Sequence, residues 1–165
     1  MAVIDRPNNI KFDNVKFANR NFAGRATKYK PAGQSSVSIV IEDLAFAERL
    51  IQDGWNVKIG NPNPDTGQPD RAYLSVKVSY ENKPPMIVLV SNRKKTILDA
   101  ESIDVLDYAD IENVDAIVRP YCWENNGKSG VAAYMKTCYV TIQDDPFGDK
   151  YNFDADEEPV PFDED

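Results

Sequence analysis

From Ala72 to Tyr80 apolar and polar side chains alternate without a break: Ala72, Leu74, Val76, Val78 and Tyr80 fall on one side, Tyr73, Ser75, Lys77 and Ser79 on the other. A period of two is that of a β-strand with one face in a core and one in water. Shorter runs of the same kind recur. NIKFDNVKF (9–17) is strand-like, but its apolar positions change face between Phe12 and Val15, which predicts a bulge near Asp13 and Asn14. SVSIVI (36–41), WNVKI (55–59) and the proline-entered PPMIVLVS (84–91) read as further strands. AIVRPYCWE, the turn NNGKSG and VAAYMKTCYVTIQ together carry the pattern of an antiparallel hairpin.

The period changes in EDLAFAERLIQDG (42–54), where Leu44, Ala47, Leu50 and Ile51 form one stripe, acids open the segment and Gly54 closes it, as in a short helix. ANRNFAGRATKYKPAGQ (18–34) sustains neither period and holds Gly24, Pro31 and Gly33, so it reads as a long exposed loop. NPNPDTGQPD (61–70) reads as a loop, and DAESIDVLDYADIENVD (99–115) as an acidic, irregular or short-helical connection. About seven short strands and one helix predict an all-β fold, an antiparallel barrel carrying a helix, rather than alternating βαβ units.

Composition narrows this picture. The 165 residues, 42% of them apolar, suffice for one domain with appendages. The net charge of −8 is concentrated at one end, because residues 144–165 hold ten acids and one lysine. Residues 1–95 carry 15 basic and 9 acidic side chains, so this part of the chain attracts polyanions that the whole would repel. The chain has no histidine, which excludes hydrolases of the Ser-His or Cys-His kind. Cys122 and Cys138 lack metal-ligand spacing and read as small buried hydrophobes of a reducing cytoplasm. Neither a signal peptide nor a membrane span is expected, since the longest apolar run, MIVLV (86–90), is far too short.

The candidate chemistry lies in how cations and rings are interleaved. Between Lys11 and Lys30 stand Lys16, Arg20, Arg25 and Lys28 with Phe12, Phe17, Phe22 and Tyr29, against one acid, Asp13. Such a mixture suits single-stranded nucleic acid, the charges following phosphates and the rings stacking on unpaired bases at roughly 1–3 kcal/mol per base. Phe12 and Phe17 read as core. Lys16, Arg20, Phe22, Arg25, Lys28, Tyr29 and Lys30 are the candidates. Tyr73 and Lys77, about 13 Å apart at strand rise, add a stacking ring beside a phosphate contact. Arg93, Lys94 and Lys95 follow a buried strand, a position at the rim of a barrel. In the hairpin Arg119, Tyr121 and Trp123 share a face and Lys128 sits at the turn. Trp55 reads as core, and Trp123 as core or half-buried.

FDNVKFANRNF, GWNVK, AYLSVKVSY, VRPYCWENNGKSGVAAYMKTCYVTI and DPFGDKY, followed by an acidic tail, resemble phage-encoded single-stranded DNA-binding proteins of the OB-fold type, over residues 9 to 151. The resemblance implies a five-stranded barrel core with extra strands, and a basic, aromatic groove that binds ssDNA in phage replication and recombination. It also implies no cofactor, no catalysis, and residence in the cytoplasm of the bacterial host. The helix, read after the second strand, departs from the simple OB plan. Residues 1–151 would form the binding domain and 152–165 a flexible tail.

In this family such tails dock on replication proteins near a terminal phenylalanine. Here Phe162 lies three residues from the end, among Asp156, Glu157, Glu158, Asp163, Glu164 and Asp165. The tail's charge also lets it occupy the groove in place of DNA. A homodimer is compatible with the sequence, as is either nucleic acid, DNA or RNA. Two alternatives compete: a Mg²⁺-dependent nuclease using Asp99, Asp104, Asp107 and Asp110, and a structural or interaction protein of a phage.

Overall fold

The computed structural model describes residues 8–26, 33–81, 83–91 and 94–143. Among the described residues nine strands form one sheet, with a single α-helix and one 3-10 turn (Ile103–Asp107) beside it. The strands are β1 (Ile10–Val15), β2 (Phe17–Asn21), β3 (Ser35–Ile41), β4 (Val57–Ile59), β5 (Ala72–Val78), β6 (Met86–Ser91), β7 (Lys94–Leu98), β8 (Ile111–Asn125) and β9 (Lys128–Ile142). Their main path runs β1-β8-β9-β5-β3-β2, with β4 on β5 and the β6–β7 pair on β9.

The expected OB-type antiparallel barrel is not what forms. The path has two ends, β1 and β2, and no ladder joins them among the described residues, so the sheet is not closed into a barrel. The reason is connectivity: β1 and β2 are consecutive, separated by Lys16 alone, and cannot fold back on each other. Nor is the sheet wholly antiparallel, since β9 runs parallel to both β5 and β6.

Two further expectations change. ANRN is not loop: Phe17–Asn21 is β2, paired with β3, although asparagines replace the β-branched residues that signal a strand. KKT is part of β7, paired with β6. The bulge is where the change of face puts it, with the register of β1 on β8 shifting between Phe12 and Val15 and Asn14 at φ 54°. The hairpin turns on Asn126 and Gly127, both at positive φ, which the tight connection between twisted strands demands.

Helix α1 (Leu44–Gln52) starts where Asp43 accepts a hydrogen bond from the Phe46 amide, and ends before Gly54. Its Ala47 and Leu50 are buried, while Ile51, expected on the same stripe, is exposed. The core gathers the inward residues of β3, β5, β8 and β9, among them Ile39, Leu74, Val76, Val118, Met135 and Val140, with Phe22 and Trp55. Cys138 is buried there, and burial, with Asp115 nearby, pushes its thiol up to about 12. Cys122, by contrast, is exposed, so only one of the two cysteines is a core hydrophobe.

Candidate functional site

Strand β5 pairs along its whole length with β3, but its other edge is divided. β4 takes Ala72–Leu74, and β9 takes Val76 and Lys77. Between them Ser75 donates its amide to the Asn56 carbonyl at 3.1 Å. The fork opens a cleft of about 430 Å³, lined by Asn56, Ser75, Lys77, Trp123, Gly130 and Ala132 among others. A second cleft, of about 510 Å³, lies at the other end of β5 between Tyr73, Arg71, Gly60 and the 61–64 loop.

Register decides what shares this face. Because Ala72, Leu74, Val76 and Val78 are buried, the alternate residues Tyr73, Ser75 and Lys77 point away from the core. Lys77 is level with Tyr134 of β9, which is opposite Arg119 of β8. Tyr121 and Trp123 continue the row along β8, and Lys58 of β4 is opposite Tyr73. The Tyr134 ring is the hub. Arg119 lies 5.0 Å and Lys77 5.8 Å from its centroid, and Tyr121 meets it edge-on at 5.9 Å. Each cation is drawn to the electron-rich ring face, which holds two long side chains over the sheet. Tyr121 is 54% and Trp123 39% exposed, so both rings have surface to offer. Lys128, at the same alternation as Gly130 and Tyr134, places a further charge at the hairpin end.

The first cationic segment is used differently. Phe22 is 1% exposed and packs against Phe17 at 5.5 Å; it is a core residue, not a stacking surface. Arg20 donates through Nη1 to the carbonyls of Leu106 and Ala109, both at 2.8 Å. Arg25 donates to Asp107 Oδ2 at 3.1 Å. That carboxylate also accepts from the amides of Phe22 (2.7 Å) and Ala23 (3.0 Å), and its side chain is 2% exposed. These two arginines therefore fasten the end of β2 to the turn at 103–109. Lys16 is exposed between β1 and β2. Lys94 and Lys95 stand on β7, and Lys95 is level, through Val90, with Thr141 of β9. That is seven residues, about 23 Å, from Tyr134 at strand rise, so the lysines of β7 are not gathered with the Tyr134 cluster. Lys28, Tyr29, Lys30 and Arg93 lie outside the described residues, as do the tail residues from Asp156 to Asp165.

Sequence patterning did not select Tyr134, Trp123, Lys58 or Arg71 as part of the site, nor Gly60 and Gly130 beneath its rings. The alternation of WNVKI and of the hairpin put Lys58, Tyr134 and Trp123 on one side of each strand, but only the register shows that the sides coincide. Among the described residues no group of three or more Cys, Asp or Glu side chains could hold a metal ion. Asp107 is committed to amides and Arg25, and Asp99 accepts from Ser102 and the Glu101 amide, contacts that hold its carboxyl below the usual range. The carboxylates required by the nuclease alternative are thus not assembled. No described helix is long and apolar enough to cross a membrane.

The family described as "Putative phage ssDNA-binding domain" matches residues 2–160. No curated protein matches the chain. Among solved structures, a C-terminally truncated single-stranded DNA-binding protein from bacteriophage Enc34 is similar in fold, with a TM-score of 0.54 and 18% identity over 85% of this chain and 88% of that one. The Enc34 protein in complex with ssDNA gives a TM-score of 0.53 and 15% identity over 86% and 90% of the two chains.

Proposed function

Because the chain belongs to the phage ssDNA-binding domain family, we propose that it is a sequence-tolerant single-stranded DNA-binding protein of phage DNA replication and recombination. The observation that carries this reading is the face shared by β5, β8 and β9, where Lys77 and Arg119 flank Tyr134 while Tyr73, Tyr121 and Trp123 offer rings. Cations spaced among rings on one open surface meet phosphates and unstacked bases together, which a duplex, with its bases stacked inside, cannot satisfy. No base-edge readout is required, so binding depends weakly on sequence and strongly on salt. The protein binds and does not catalyse.

Within the same proposal residues 1–151 are the binding domain and 152–165 an acidic tail. Its support is charge: residues 152–165 hold seven acids and no base, enough to compete with DNA for the cationic face. Replication proteins of the phage or its host, in the host cytoplasm, are the other partners that the tail suits.

Anisotropy of a labelled oligothymidine, titrated at two salt concentrations beside a duplex control, tests the reading. Salt-sensitive binding that prefers the single strand is expected, and tightens at low salt when residues 152–165 are removed. Equal affinity for the duplex, or none for either, would overturn it.

A further inference from the structure

Seven glycines are described, and five of them, Gly24, Gly33, Gly54, Gly67 and Gly127, stand at positive φ, where a side chain is strained. Gly60 and Gly130 do not, so backbone conformation gives no reason for them. What they share is a neighbour. A Cβ built on Gly130 would lie 2.7 Å from Cζ2, 2.9 Å from Cε2 and 3.0 Å from Nε1 of Trp123. On Gly60 it would lie 3.2 Å from Cε2 of Tyr73 and 3.0 Å from the Arg71 carbonyl oxygen. Each glycine is therefore covered by an aromatic ring of the binding face. Gly130 lies within strand β9, directly opposite Trp123, where glycine weakens a strand unless something packs over it.

Resting on the DNA-binding reading above, the geometry points to Gly130 and Gly60 as positioning residues for that activity. By lacking a side chain they let the indole of Trp123 and the ring of Tyr73 settle onto the sheet, fixed before DNA arrives. A free aromatic side chain near a hairpin end samples several rotamers and loses them on stacking, so a seated ring binds at a smaller entropic cost. Both seats are at a cleft, Trp123 and Gly130 lining one and Tyr73 and Gly60 the other.

Gly130→Ala is the cleaner test, because the atoms in its way belong to a partly exposed side chain and can move without disturbing the backbone. The wild type, Gly130→Ala, Trp123→Ala and the double variant are titrated with a labelled oligothymidine, with thermal unfolding recorded for each. Trp123→Ala is expected to weaken binding about tenfold and Gly130→Ala about three- to tenfold. The double variant should be no weaker than Trp123→Ala, because the glycine acts through the ring. The dependence on salt should be unchanged in Gly130→Ala, since every cation that meets a phosphate is still in place. Should Gly130→Ala fail to fold, Gly60→Ala with Tyr73→Ala gives a second cycle at the other seat, where the Arg71 carbonyl as well as the ring must give way. Wild-type affinity in Gly130→Ala, or an equal further loss when the ring is already absent, would overturn the positioning role alone. Failure of the wild type to bind would overturn the function reading with it.

Discussion

The segment from Lys16 to Arg25 and the face of β5, β8 and β9 both set cations among aromatic rings, yet the structure uses the two sets differently. In the first, Phe22 is in the core, and Arg20 and Arg25 each donate through Nη1, Arg20 to the Leu106 and Ala109 carbonyls and Arg25 to Asp107. In the second, Lys77 and Arg119 touch no carboxylate among the described residues and lean on the Tyr134 ring. An arginine that has found buried acceptors is part of the fold. A cation that leans on a ring keeps its charge for a ligand.

Substitutions can break this contrast, and the largest effect is expected at the anchor. Asp107→Ala strips two amides and Arg25 of their shared acceptor at a side chain that is nearly inaccessible. It should cost about 3 kcal/mol in denaturant unfolding, with ssDNA affinity of the folded fraction unchanged. Tyr134→Ala attacks the other region: removing the hub should weaken oligothymidine binding about tenfold, roughly 1.4 kcal/mol, as read by anisotropy. Arg25→Ala, whose side chain is 51% exposed, should cost under about 1 kcal/mol of stability and leave affinity alone. The smallest change is expected for Lys95→Ala. At about 23 Å from Tyr134 it lies beyond the screening length, and affinity for a short oligonucleotide should stay within about twofold.

Much of the sheet was legible because one-sided strands must alternate. The period of Ala72–Tyr80 gave both the buried row of β5 and its outward Tyr73 and Lys77, and the face change after Phe12 gave the bulge. What the pattern could not carry was pairing. Alternation says which side of a strand is wet, but only register shows that Lys77, Tyr134 and Arg119 meet, or that β4 and β9 divide the edge of β5. The barrel was expected from strand count and from the family resemblance, neither of which reports whether the end strands are free to pair. Asp107 was hidden for a related reason. Among the acids of 99–115 it looks like any solvated carboxylate, and its role depends on the Phe22 and Ala23 amides, about 85 residues away. Asn-rich β2 carries too little β-propensity to be read as a strand.

The most direct test of the proposal that the β5, β8 and β9 face meets DNA is the salt dependence of oligothymidine binding by Lys77→Ala/Arg119→Ala. Each phosphate that is no longer neutralised should lower the slope of log affinity against log salt by about 0.7, so the double variant should bind more weakly and with a shallower slope than the wild type. A slope and affinity equal to those of the wild type would contradict the claim.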